Sequence, residues 1–113
     1  MDRLRTYRDL IKQYLNEHAD LMRQQPVPGL ETIAILDEAS DQYLLLNVGW
    51  ENGQRRRYTT LHARIRSGEI WIEEDWTEEG LANRLIKAGV PKEGIVLAFQ
   101  SPEPHSLAEY AQV

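Results

Sequence analysis

His62 and Glu73 are the two residues of this chain whose types suit acid–base work together, because a carboxylate can hold an imidazole in one tautomer. A strand register derived below sets them side by side. No nucleophile or oxyanion donor is recognisable near them, so a structural or interface histidine competes with the catalytic reading. His18, His62 and His105 are too far apart for ligand spacing, and there is no phosphate-cradling glycine loop, so the sequence supports no metal and no cofactor. A second chemistry lies in Arg55, Arg56 and Arg57, which with Arg64 and Arg66 could meet phosphates while Tyr58 stacks on a base. Against that, residues 69–79 carry six carboxylates and no basic residue, so a hairpin would pair the arginines with acids instead. Arg64 is placed to lie on Trp71.

The chain as a whole argues the same way. Its formal net charge is -5 and its pI about 5.2, whereas a protein that holds DNA unaided usually has a strongly basic surface. Direct nucleic-acid binding is therefore disfavoured. There is no cysteine, which removes disulfides and thiolate metal sites and suits a reducing compartment. The first residues mix charges through every turn, and nowhere do about 18 uncharged residues run together, so neither a signal peptide nor a membrane span is expected. A cytoplasmic protein with one domain over residues 1–113 is the reading.

The elements that must position these groups are legible in the spacing. From Asp2 to Met22, Leu4, Tyr7, Leu10, Ile11, Tyr14, Leu15, His18 and Leu21 recur at steps of three and four, which predicts an amphipathic helix. The prolines at 26 and 28 end it. Strands are predicted over Thr32–Leu36, Gln42–Trp50, a third after Asn52-Gly53, Glu69–Glu74 and Ile95–Phe99. Asn52-Gly53 is a type I′ hairpin turn, since both types tolerate positive φ, and it pairs residue 51 with 54. Ser67-Gly68 is a second such turn, pairing Arg66 with Glu69. A second helix is predicted over Thr77–Ala88, capped by Asp75 or Thr77 and closed by Gly89 and Pro91.

Counting outward from the turns with no irregularity sorts the three central strands into two faces. Leu44, Leu46, Val48, Trp50, Leu61, Ala63, Ile65, Ile70 and Ile72 form the core face. Tyr43, Leu45, Asn47, Tyr58, Thr60, His62, Arg64, Trp71 and Glu73 form a mixed face, read as a binding surface because contiguous exposed apolar groups mark interaction sites. Its candidate interface residues are Tyr43, Leu45, Tyr58, His62, Arg64, Trp71 and Glu73. Trp50 is core by parity, and Trp71 with Trp76 are the better partner-facing candidates.

YLLLNVGW, SGEIWIEEDWTEEGLANRLIKAGVPKEGIVLAF and the closing SPEPHSLAEYAQV together resemble the XisI-like family, named for the fdxN element excision controlling factor of cyanobacteria. The resemblance covers most of the chain. Trp76 stands where the family commonly has glycine, and Leu61-His62-Ala63-Arg64 is more basic than the family's usual strand. The resemblance implies an α+β domain in which an N-terminal amphipathic helix and a second helix pack on one face of an antiparallel sheet of about four to five strands. It also implies a non-enzymatic accessory factor that, with a XisH-type protein and a site-specific recombinase, controls excision of a DNA element. The acidic pI and the mixed face favour control through protein contacts, with a homo-oligomer (a dimer or higher) expected. Two alternatives are a DNA-binding directionality factor using Arg55, Arg56 and Arg57, and a small-ligand protein or enzyme built on His62 and Glu73.

Overall fold

The computed structural model describes residues 2–100 and, for the backbone alone, residues 105 and 106. Helix α1 (Arg3–Gln24) starts where the Asp2 carboxylate accepts the Leu4 N–H at 2.9 Å. Its apolar stripe buries Tyr7, Ile11, Tyr14, Leu15 and Ala19, whereas Leu21 at its far end is exposed. Six strands follow: β1 (Leu30–Asp37), β2 (Gln42–Glu51), β3 (Gln54–Arg66), β4 (Glu69–Asp75), β5 (Ile95–Leu97) and the two-residue β6 (His105–Ser106). They lie in chain order across one sheet. Helix α2 (Leu81–Lys87) sits between β4 and β5 in sequence.

This crossover corrects the all-antiparallel expectation. β4 and β5 run parallel, Ile70 beside Ile95 and Ile72 beside Leu97, because a helix between two adjacent strands returns the chain to the same end. β6 then adds antiparallel to β5, so His105 and Ser106 of the closing segment pair with the chain's own sheet. The rest of that segment, and with it most of the family-like ending, lies outside the described residues.

Both turns form with positive φ as their residue types require: 52° and 77° at Asn52 and Gly53, 54° and 76° at Ser67 and Gly68. Gly49 answers to a different demand. Its φ is 147°, and a Cβ there would lie 1.9 Å from the Gly29 carbonyl oxygen, which accepts the Trp50 N–H at 2.9 Å. The connector after α1 is thereby fastened to β2 through a contact that only glycine admits.

The core lies between the helices and one side of the sheet. Ile11, Tyr14 and Leu15 of α1 meet Tyr43, Leu45, Leu61, Ala63, Ile70 and Ile72, and Leu81 and Leu85 of α2 complete the cluster. Burial of each large aliphatic side chain stabilises the fold by about 2 kcal/mol. α2 is shorter at its start than expected, and Asp75 explains how it begins. Asp75 Oδ1 accepts from the Thr77 N–H and hydroxyl, and Oδ2 accepts the Leu81 N–H at 2.7 Å, so residues 76–80 form a tethered loop rather than a first helical turn. The Tyr14 hydroxyl meets Thr77 Oγ1 at 2.7 Å, and Arg84 bridges Glu17 of α1 and Glu79, joining the two helices.

The other side of the sheet carries no layer among the described residues. On β1 and β2 it presents Ile33, Ile35, Leu44, Leu46, Val48 and Trp50.

Candidate interaction site

Two bulges decide which groups reach this bare face. From Glu51↔Gln54 inward the β2–β3 ladder is regular to Leu46↔Thr59, and then Leu45 pairs with Leu61 and Tyr43 with Ala63. Thr60 is the extra residue. An added residue in one strand reverses the parity of everything beyond it relative to its neighbour. Tyr43, Leu45 and Asn47 therefore face the helices together with Leu61 and Ala63, and are buried. The expectation that Tyr43 and Leu45 belong to an exposed interface is corrected: both are fully buried core residues. Conversely Leu44, Leu46, Val48 and Trp50, expected in the core, lie on the bare face, and Trp50 is 58 % exposed.

Asn47 holds the bulge in place. Its Oδ1 accepts from the Thr32 hydroxyl at 2.9 Å, and its Nδ2 donates to Thr60 Oγ1 at 2.7 Å. A buried amide is tolerated here because both ends of it are satisfied. The Thr60 carbonyl accepts the Trp76 N–H at 2.8 Å, so the same residue also anchors the loop after β4.

The second bulge separates His62 from Glu73. His62 pairs with Glu74 and Ala63 with Ile72, leaving Glu73 extra in β4. The His62 ring nitrogen Nε2 is hydrogen-bonded to Gln42 Oε1 at 2.8 Å, while Glu73 accepts from Arg64 Nε at 2.9 Å. The expected His62–Glu73 hydrogen-bonded pair is thus replaced by two separate partnerships. Burial holds the His62 pKa below its ordinary value, against an opposing pull from the Glu73 charge. A neutral imidazole bound to an amide is a positioned hydrogen-bonding group.

Of the remaining candidates, His62, Arg64, Trp71 and Glu73 do share the bare face. Arg64 and Arg66 lie over the Trp71 ring at 5.8 and 5.0 Å from its centroid, as the register from the Ser67-Gly68 turn requires. Tyr58 does not join them: it pairs with Asn47, on the helix side. There it lines a groove of about 590 Å³ with Leu21, Met22, Val27, Thr32 and Asn47, beyond the end of α1.

The three arginines alternate along β3. Arg55 and Arg57 pair with Trp50 and Val48 on the bare face, whereas Arg56 pairs with Gly49 on the helix side. Arg55 covers the Trp50 ring at 5.8 Å, and Arg56 lies 5.7 Å over Tyr58 and 3.7 Å from Glu51. They do not form one row of cations for a phosphate backbone. β4 ends opposite Leu61, so residues 54–59 of β3 form a free edge, where consecutive charges oppose strand addition by another chain. Among the described residues no group of three His, Cys, Asp or Glu could hold a metal ion, and no helix is long and apolar enough to cross a membrane.

Reading the residues by regular alternation missed Ile33, Ile35, Leu44, Leu46, Val48 and Trp50 as surface groups. Asn47 pointed the other way, since a polar residue sharing the parity of Tyr43 and Leu45 suits a mixed surface until the fold supplies Thr32 and Thr60 as its partners. Nothing local announces a bulge at Thr60.

What the described residues define, then, is a two-layer α+β domain whose helices cover one sheet face and whose other face is apolar, bare among those residues and rimmed by charge. The XisI protein family model matches residues 1–112. The chain belongs to that family. It is similar to a XisI-like protein from Anabaena variabilis, with 33 % identity and a TM-score of 0.80 over 88 % of this chain and 90 % of that one. It is also similar to the fdxN element excision controlling factor XisI from Anabaena variabilis, with 36 % identity and a TM-score of 0.81 over 89 % and 96 % of the two chains. No curated protein matches the chain.

Proposed function

We propose that this protein is a non-enzymatic accessory factor in the control of DNA-element excision, acting in the cytoplasm through protein contacts with itself, with a XisH-type partner and with a site-specific recombinase. The family supplies the excision link, through a relative named as the fdxN element excision controlling factor. The observation that carries the mode of action is the apolar sheet face that carries no layer among the described residues, because soluble chains rarely leave such a patch without a partner. Two further observations support it. His62 and Glu73 are each engaged by an amide or a guanidinium, and the Arg55, Arg56 and Arg57 side chains are divided between two faces.

The test is a tagged pull-down from the native cell, treated with nuclease and read by mass spectrometry. Recovery of a XisH-type protein without DNA is the expected result. Recovery only of material that disappears on nuclease treatment would overturn the reading in favour of direct DNA binding.

A further inference from the structure

The bare face has an arrangement of charge that fits one occupant, a second copy of this chain. Across β1, β2 and β3 the register sets four outward rows: Glu31–Val48–Arg57, Ile33–Leu46–Thr59, Ile35–Leu44–His62 and Asp37–Gln42–Arg64. The two middle rows carry aliphatic side chains on β1 and β2. The first and last each place an acid on β1 and a base on β3, with β2 midway between them.

We propose that two copies pack face to face about a two-fold axis running along β2. A rotation about that line carries β1 of one copy over β3 of the other without moving any row along the strand. Glu31 of each copy then lies over Arg57 of the other, and Asp37 over Arg64, so that each contact forms twice, as an isologous interface requires. Between the two charged ends Leu44 and Leu46 meet their own counterparts, while Ile33 lies over Thr59 and Ile35 over His62 of the other copy. Sheets stacked in this aligned manner sit about 10 Å apart, a gap that a glutamate and an arginine reaching toward each other can span.

Glu31 and Arg57 are the free pair. Both are exposed, and neither takes part in an ion pair among the described residues. At the other end Asp37 already accepts from Ser40, and Arg64 is bound to Glu73, so that row contributes sign more than a new bond. The opposite arrangement, with the axis across the strands, would reverse the order of the rows as well. It would set Glu31 over Asp37 on the same strand and Arg57 over Arg64, like charge on like at both ends. Charge alone therefore selects the axis along β2.

With strands about 4.8 Å apart and rows spanning about 26 Å, the three strands β1–β3 that overlap about this axis offer roughly 375 Å² per copy. Two such faces reach about 750 Å², under the roughly 1,000 Å² of a stable interface, so the dimer is a weak one that forms as concentration rises. The proposal deepens the protein-contact reading and rests on it only for its use in the cell.

The test uses the purified full chain alone, so its failure leaves the XisH-type partner question untouched. Sedimentation equilibrium is run on the wild type, Glu31→Arg, Arg57→Glu and the variant carrying both changes, with circular dichroism to confirm that each is folded. A wild-type dimer is expected. Each single change should raise the dimer dissociation constant by roughly tenfold or more, and the double change should return it to within about threefold of wild type. A wild type that stays monomeric overturns the proposal. So does a dimer indifferent to the single changes, or a double variant weaker than either single one.

Discussion

Leu45 pairs with Leu61 while its neighbour Leu46 pairs with Thr59, and the single extra residue between them determines which side of the sheet the helices cover. With it, β2 sends Tyr43, Leu45 and Asn47 into the core and leaves Leu44, Leu46 and Val48 outside. Thr60 is the hinge of this choice, held by Asn47 on one side and by the Trp76 backbone on the other.

Substitutions in β2 should divide accordingly. Leu45→Ala opens a cavity at a fully buried site and should cost about 2–5 kcal/mol of folding stability. Trp50→Ala, at a residue 58 % exposed, should cost under about 1 kcal/mol in dilute solution despite the larger side chain. Urea denaturation of both variants checks the order, and a reversed order would restore the regular register.

Asp41 carries the turn between β1 and β2. Its Oδ1 accepts both Arg8 Nε and the Tyr43 hydroxyl at 2.8 Å, with φ at 53°. The Arg8 hydrogen bond holds the Asp41 carboxyl below its ordinary value, while burial, reinforced by that carboxylate, pushes the Tyr43 hydroxyl up. A carboxylate whose folded pKa is depressed contributes stability above its unfolded value of 3.8, and that stability is lost as pH falls through the folded value. Asp41→Asn keeps a residue that tolerates positive φ, so its effect isolates the charge. It should lower stability by about 1 kcal/mol at pH 7 and by progressively less in acid, measured as Tm against pH.

His62 predicts a shift in another window. Its folded pKa is depressed by burial, with Arg64 adding to the shift and Glu73 and Glu74 opposing it, so the folded state prefers the neutral ring. Stability is then fully present above the unfolded value of 6.5 and declines as pH falls toward the folded one. Between pH of about 7.5 and 5.5 the wild type should lose more stability than His62→Gln. Parallel slopes would place the titration elsewhere.

The division of Arg55, Arg56 and Arg57 between two faces predicts weak contact with DNA. Changing all three to alanine should alter affinity for a labelled duplex by less than about threefold, with little change from roughly 50 to 200 mM salt. A log–log salt slope near -3 that the alanines abolish would instead establish a phosphate-binding row.

Much of the architecture is written locally. The Asp2 cap, the three-and-four spacing of Tyr7, Ile11, Tyr14 and Leu15, and the Asn52-Gly53 and Ser67-Gly68 turns each depend on residues close in sequence. The Arg64–Trp71 contact was legible for the same reason, since only a two-residue turn and a short regular ladder separate the pair. The face of β2 was not. It depends on whether Thr60 stays in the ladder, and that is settled by Asn47, Thr32 and the loop at Trp76, which meet only in the folded sheet. The same holds for His62 and Glu73, parted by the β4 bulge.

The central claim, that the helix-free sheet face is where this protein meets its own copy, is tested most directly by hydroxyl-radical footprinting of the full chain at concentrations below and above association. Ile33, Ile35, Leu46 and Trp50 should become protected as concentration rises, while Leu21 and Val27 on the helix side stay reactive. Protection of Leu21 and Val27 with the sheet face unchanged would contradict the account.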